Sequence, residues 1–456
     1  MKPSLPQGTR DFTAELIRRR QFILETIRDV FELYGFEPLE TPAIENLETL
    51  TGKYGDEGDK LIFKILNNGL DNPAKKEEII KTFGRILDGK NEKGITERAL
   101  RYDLTIPFAR FISMNYGKLT MPYKRYQMQS VWRADRPQKG RYREFFQCDA
   151  DIAGTSSLIS DAELALIYQQ VFKNLNIATD LKINSRKILA ALAEKCGGAD
   201  KMTAITVAID KLDKIGLAKV KEELAINGLS EKEISIVENY LQIGGNNEEK
   251  LEKALVLFES IEIGKAGIHE IKTILEYIDS AKSASEITTL NIDFTLARGL
   301  NYYTGIIYEV KARNIEMGSI GGGGRYDDLT GLFDLPNIPG VGISFGVDRI
   351  FDVMNELQIF PETINKSTHI LFFNLGENES KFAFQEMQIL RSKGISCELF
   401  YEQTKMDKQF KYAFKKDIPF VVIIGSNELQ QKTCVIKDLK KGEQQIIPVQ
   451  NLSSYF

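Results

Sequence analysis

Residues 132–154 read WRADRPQKGRYREFFQCDADIAG, with four arginines and a lysine between Arg133 and Glu144, in a chain whose formal net charge is −4. Pro137 and Gly140 punctuate RPQKG, and the text on either side is aromatic and β-leaning, which predicts a β-hairpin. Side chains alternate faces along a strand, so Arg143, Phe145, Gln147, Asp149 and Asp151 share one face while Phe146, Cys148 and Ala150 take the other. By the same count Gln127, Gln129, Val131 and Arg133 share a face of the first strand. One face is apolar and buries. The other carries amides, acids and one phenylalanine, a pattern suited to a pocket floor, although a solvated sheet face with arginines offsetting acids would read alike. From Lys124 to Arg143 the chain holds seven basic residues and one acid, the footprint of a polyanion.

Composition sets the wider frame. At 456 residues the chain exceeds one compact core and predicts two or three domains. With 43% hydrophobic and 27% charged residues it has the composition of an ordinary soluble protein. A net charge of −4 excludes nucleic-acid binding through global charge, so a polyanion must meet a local patch. MKPSLPQGTRDF has no apolar signal core, and no window approaches the ~18 apolar residues of a membrane span, so a cytoplasmic protein without membrane contact is expected. Cys148, Cys196, Cys397 and Cys434 form no CxxC, and His269 and His369 are the only histidines, which predicts reduced thiols and no protein-bound structural metal.

Along the chain, Leu16, Phe22, Ile23, Ile27, Val30 and Phe31 fall at roughly the spacing of one helical face between Thr13 and Tyr34, and the pattern ends at Gly35. Pro38 and Pro42 then permit only an edge or irregular strand. Phe63 to Thr96 is polar and reads as an insertion or long loop with one short helix, and 185–285 turns to Ala, Lys, Glu, Ile and Leu in helical spacing. Strand patterns return at FTLARGLNYYTGIIYEV, and a linker follows. Beyond it HILFFNL, ISCELFY, FVVIIG and TCVIKDL alternate with helical text, implying a small α/β domain with parallel strands. GSIGGGGRYDDLTG and GVGISFGVDRI carry enough glycine for backbone to approach a ligand, but neither has P-loop or dinucleotide spacing. Taken alone, four successive glycines indicate a turn or tight strand packing as readily as a site.

In order along the chain these motifs resemble the class II aminoacyl-tRNA synthetases, and among them the histidyl-tRNA synthetase family. The Thr13–Tyr34 helix with the strand holding Pro42 is similar to motif 1, VWRADRPQKGRYREF to motif 2, and GVGISFGVDRI to motif 3, while LARGLNYYTG and GGGRYDDL are similar to the two histidine signatures. The resemblance implies an α+β fold: a catalytic antiparallel sheet flanked by helices over 1–184 and 286–358, a helical insertion over 185–285, a linker over 359–367, and an anticodon-binding α/β domain over 368–456.

It also implies the chemistry of histidine attachment to histidine tRNA through histidyl-adenylate, with ATP as substrate together with Mg2+ and a homodimer built through motif 1. By resemblance, Arg133, Arg298 and Arg349 are catalytic. Arg133, Asp135, Phe145 and Arg349 bind ATP, with Phe145 stacked on adenine. Asp103, Thr105, Gln147, Asp151, Tyr302 and Tyr303 bind L-histidine, and Asp103 and Thr105 are expected on one strand face. Arg136, Gln138 and Lys139 at the loop tip are expected to meet tRNA, where the family reads an extra 5′ guanosine. Asp135 and Asp348 stand where glutamate is frequent. Three other readings share the fold: a regulatory subunit of histidine biosynthesis, which typically lacks the C-terminal domain; a tRNA-sensing module of longer kinase-bearing chains; and another synthetase of the same subclass, disfavoured by RGLNYY.

Overall fold

The computed structural model describes residues 2–51, 60–87, 92–281, 288–297, 302–365 and 368–456. It divides into two units, 1–360 and 361–456.

In the first unit, helix Ala14–Leu33 buries Ile23, Ile27, Val30 and Phe31, one face of its heptad-like spacing. It ends because Gly35 takes φ +75°: Gly35 N–H donates to Glu32 O and Phe36 N–H to Phe31 O, a Schellman stop. Short strands follow at β1 (Glu37–Pro38), β2 (Ile44–Asn46), β3 (Lys64–Ile65) and β4 (Arg98–Leu100). The predicted hairpin is β5 (Tyr123–Trp132) and β6 (Glu144–Ala153). With β7 (Thr179–Ser185), β8 (Thr288–Ile292), β9 (Ile306–Ala312), β10 (Gly321–Arg325) and β11 (Gly340–Gly346), it builds a sheet of order β1-β5-β6-β11-β10-β9-β7-β8. The sheet is antiparallel inside and parallel at its two ends, β1/β5 and β7/β8. Pro38 closes the edge strand, where a missing N–H costs no ladder bond, and Pro42 falls outside any strand.

The two faces of this sheet differ as the alternation predicts. Cys148, Ala150 and Ile152 join Ile23, Ile27 and Phe31 in the main core. Phe345 packs its ring against Phe31, Tyr168 and Phe172 at 5.8, 4.8 and 5.6 Å. Truncating a ring as buried as Phe31 to alanine costs about 3–5 kcal/mol. The glycine run is a central strand: an added Cβ would meet Tyr168 Cε1 at 2.7 Å from Gly321, Gly342 O at 2.3 Å from Gly323 and Tyr303 Cδ1 at 2.9 Å from Gly324. Close packing, not a turn, requires these glycines.

Helices Arg186–Lys195, Met202–Asp210, Leu212–Ile226, Glu231–Leu241, Asn247–Leu257 and Glu262–Ser280 occupy the stretch read as helical, and their buried residues belong to the same apolar cluster as the sheet. Gly264 and Gly267 bring the last of them against Ala191 and Ile188, where an added Cβ would sit 2.9 and 3.0 Å from side-chain carbon.

In the second unit β12 (Ile370–Phe372), β13 (Cys397–Leu399) and β14 (Phe420–Ile423) are parallel, as expected, but β15 (Thr433–Asp438) and β16 (Gln444–Pro448) add an antiparallel edge. Ile370 and Phe372 pack with helix Glu377–Ser392 on one face, while Leu371 and Phe373 pack with helix Met406–Lys415 on the other. Burial on both faces explains why HILFFNL reads as a continuous apolar run. The four cysteines are buried and unpaired, and no described helix is long and apolar enough to cross a membrane.

Candidate active site

The polar face of the hairpin is the floor of a cavity of about 260 Å3. Strand register orders that floor in rows: Gln129, Gln147 and Gly346; then Gln127, Asp149 and Ser344; then Arg125, Asp151 and Gly342. A Cβ at position 342 would lie 2.0 Å from Asp151 Oδ1, so glycine there makes room for the carboxyl.

Cations gather at one end. Arg133 donates from Nε to Tyr102 O at 2.9 Å, and its guanidinium lies 5.1 Å from the Phe145 ring centre. Arg349, in the first turn of helix Val347–Glu356, donates to Gly140 O and Ser319 O, both at 2.7 Å. A carbonyl fixes a guanidinium plane without itself neutralising the charge. Asp135 and Arg141 lie 3.7 Å apart at this end. Asp348 also borders the cavity, yet its carboxylate pairs with Arg10 and Arg20 and accepts Phe146 N–H at 2.9 Å. These bonds tie the N-terminal segment and helix Ala14–Leu33 to the sheet.

Acids gather at the other end. Asp103, Asp149 and Asp151 are buried. Tyr326 donates its hydroxyl to Asp151 Oδ1, and Arg125 NH2 lies 2.8 Å from Oδ2. Arg125 is wholly buried, donates to Leu104 O at 3.2 Å and sits 4.3 Å from the Phe108 ring centre. Burial pushes the Asp149 carboxyl up to about 7, with Arg125 opposing and Asp151 reinforcing the rise, and burial raises Asp151 likewise. Gln147 donates to Ser344 Oγ at 2.9 Å. Tyr302 and Tyr303 close over this end with ring centres 4.7 Å apart, and Tyr302 donates to Thr105 Oγ1 at 3.5 Å.

Asp103, Thr105, Arg133, Asp135, Phe145, Gln147, Asp151, Tyr302, Tyr303 and Arg349 thus line one cavity. Arg298 lies outside the described residues. Arg136, Gln138 and Lys139 are exposed on the hairpin loop, where Gln138 and Arg141 exchange backbone bonds of 3.1 and 2.9 Å and Gly140 takes φ +70°. Lys139 pairs with Glu356 at 2.6 Å. The expectation that Asp103 and Thr105 share a strand face is corrected: Thr105 opens helix Thr105–Asn115, and Asp103 Oδ1 accepts Ile106 N–H at 3.3 Å just ahead of it. Pro107 belongs to the first helical turn, which needs no N–H from it, so the proline does not prevent the helix. The basic footprint is also smaller than the sequence suggests, because Arg125 is buried and Lys124 pairs with Glu163 at 3.0 Å. Sequence reasoning passed over Asp149, Ser344 and Tyr326 as site residues, although alternation had put Asp149 on this face. Among the described residues no cluster of three or more His, Cys, Asp or Glu could hold a metal ion.

Residues 76–350 match the family model for histidyl-tRNA synthetase, and 369–456 match an anticodon binding domain. A histidine–tRNA ligase of Bacteroides fragilis is 48% identical over 452 residues, covering 99% of this chain and 98% of its own. The crystal structure of histidyl-tRNA synthetase from Nostoc superposes with a TM-score of 0.81 at 30% identity, covering 100% of this chain and 99% of that one. An ATP phosphoribosyltransferase regulatory subunit/histidyl-tRNA synthetase from Bacillus halodurans shares the fold, with a TM-score of 0.71 at 21% identity over 90% of this chain and 97% of that one. Near-complete coverage at such identity, together with the family-model match over 76–350, means that the chain belongs to the histidyl-tRNA synthetase family.

Proposed function

We propose that this chain is a histidine–tRNA ligase that works in two steps. The carboxylate of L-histidine attacks the α-phosphorus of ATP, giving histidyl-adenylate and pyrophosphate; a terminal ribose hydroxyl of histidine tRNA then takes the histidyl group and releases AMP. The observation that carries this reading is the single cavity with Arg133, Phe145 and Arg349 at one end and buried aspartates at the other. A triphosphate suits the first end and an amino acid with a cationic ammonium the second.

The substrate carboxylate is already a nucleophile at neutral pH, so positioning and charge supply the catalysis. Arg133 takes the α-phosphate, aided by Arg298 on the strength of the family resemblance, and Arg349 takes the far phosphates. Phe145 stacks on adenine, and Asp135 stands beside the nucleotide. Mg2+ enters with ATP as part of the substrate. Asp103, Thr105, Gln147 and Asp151 surround the amino acid, where a carboxylate meets its α-ammonium and acceptors meet its ring N–H groups, and Tyr302 and Tyr303 close over the ring. Arg136, Gln138 and Lys139 meet the acceptor end of the tRNA. The anticodon-domain match at 369–456 favours the ligase over a regulatory subunit lacking that domain.

The enzyme acts in the cytoplasm as a homodimer. Ile17, Leu33 and Ile44, in the segment similar to motif 1, expose apolar surface that a second copy would cover. Pyrophosphate exchange measured with each amino acid in turn tests the assignment: histidine alone should support it, and exchange dependent on proline, threonine or glycine instead would refute it.

A further inference from the structure

We infer that Glu309 is a positioning residue for the nucleotide: through the Ser319 hydroxyl it fixes the loop whose carbonyl aims Arg349 at the far phosphates of ATP. This rests on the proposed use of ATP, and it assigns a side chain that lies beyond the cavity lining.

Strand register puts Glu309 on the polar face of the sheet. Directly opposed residues share a face, and the row that begins with Gln127, Asp149 and Ser344 runs on through Gly322 of β10 and Glu309 of β9 to Lys182 of β7. Gly322 lines the cavity and carries no side chain, so Glu309 is the next side chain of the row. It is 5% exposed. Ser319 donates its hydroxyl to Oε1, and Lys311 Nζ lies 3.8 Å from Oε2. A buried carboxylate is costly unless it is bonded and near positive charge, and it holds a hydroxyl more strongly than a neutral acceptor does.

Ser319 carries that bond to the site. It ends the connection between β9 and β10, in which Asn314, Glu316 and Gly318 are exposed. Its carbonyl accepts Arg349 Nη1 at 2.7 Å, and an added Cβ at Gly318 would sit 3.3 Å from the same nitrogen, so this connection lies directly against the guanidinium. One residue therefore faces both ways: its hydroxyl is tied to the sheet and its carbonyl sets the arginine plane. Without the carboxylate the carbonyl is held by backbone alone, and the guanidinium moves with it. A displacement of about 1 Å in a group that orients a substrate can cost about 10²-fold.

The test is pyrophosphate exchange with ATP, pyrophosphate and histidine varied in turn, and with AMP as a competitive inhibitor. AMP keeps the adenosine and α-phosphate of ATP but lacks the far phosphates assigned to Arg349. Glu309→Ala should raise KM for ATP and for pyrophosphate by about 10-fold, a partial loss of orientation, while Ki for AMP and KM for histidine change by less than about twofold. Glu309→Gln, which keeps an acceptor without the charge, should fall between. Ser319→Ala should match Glu309→Ala, and the two together should add little, since both cut one connection; in an Arg349→Ala background Glu309→Ala should have no further effect. Equal rises in the constants for ATP, AMP and histidine would overturn the inference, as would unchanged constants or a full effect of Glu309→Ala in the Arg349→Ala enzyme. Should Glu309→Ala fail to fold, Ser319→Ala and its combination with Arg349→Ala decide by the same contrast. Should the unaltered protein show no histidine-dependent exchange, the ligase reading is rejected, and the dissociation constants of ATP and AMP measured by calorimetry in the same variants decide the role of Glu309 on their own.

Discussion

At the nucleotide end of the cavity Arg133 and Arg349 are only partly buried and are fixed by the carbonyls of Tyr102, Gly140 and Ser319, whereas at the amino-acid end Asp103, Asp149 and Asp151 lie buried near the guanidinium of Arg125. The cations keep part of their hydration until an anion replaces it. The acids have been dehydrated in advance, at a cost in stability that only a matching substrate recovers. Rate enhancement at phosphorus belongs to the first arrangement and discrimination among amino acids to the second.

The largest expected effect tests the second arrangement. An apolar amino acid has no ring N–H, so polar groups that meet the imidazole would lose a partner, and leucine or phenylalanine should be used about 10⁴–10⁵-fold less well than histidine without any editing step. Efficient exchange with either amino acid would break the contrast. Next, Arg133→Ala should lower histidine-dependent exchange by roughly 10²–10³ while leaving Tm nearly unchanged, because the residue serves the transition state and not the core. A large fall in Tm with normal exchange in the surviving enzyme would reverse the roles assigned to the two ends.

A smaller effect concerns the loop beyond both ends. Gln138→Ala should spare exchange, slow transfer to tRNA by an amount worth about 1–3 kcal/mol, and relax the preference for the extra 5′ guanosine. Lys139→Ala should lower the salt slope of tRNA binding by about one, provided tRNA displaces the exposed pair with Glu356. Equal slowing of exchange and transfer in Gln138→Ala would make the loop part of the cavity.

The smallest effect is in stability. The folded Asp149 carboxyl is raised to about 7 by burial, so the native state holds a proton that the unfolded chain has already lost above the ordinary carboxylate range. Its contribution therefore becomes more unfavourable as pH rises from about 4 to about 7. Arg125, Asp151, Asp103 and Ser344 face this group. Asp149→Asn should raise Tm by a few degrees at pH 8, with the gain shrinking toward pH 5. A gain independent of pH would mean that Asp149 is not the strained member of the acid cluster.

What could be read in advance follows the range of the interaction. Strand alternation is a local property, so the separation of Phe145, Gln147, Asp149 and Asp151 from Cys148 and Ala150 was legible from the chain alone, as was the stop of the first helix at Gly35. The glycine run announced a close approach but not its partners, since Tyr168, Gly342 and Tyr303 come from three other places in the sequence. Asp103 and Thr105 were read on a strand because five residues, RYDLT, carry too little periodicity to reveal a helix that begins at the second of two site positions.

By itself the sequence determined the hairpin and its polar face, because short-range stereochemistry and residue type suffice for both, while the family was legible through the resemblance of its motifs, in their order, to a known set. Only the tertiary structure decided which charges face solvent and which are buried. Arg125 and Arg133 look alike in the chain, and both belong to the basic stretch around the hairpin. Yet Arg125 ends beneath Asp151 and against Phe108, dehydrated, while Arg133 stands at the cavity wall. Burial depends on what other strands and helices bring to the same place, and that information is distributed over the whole chain.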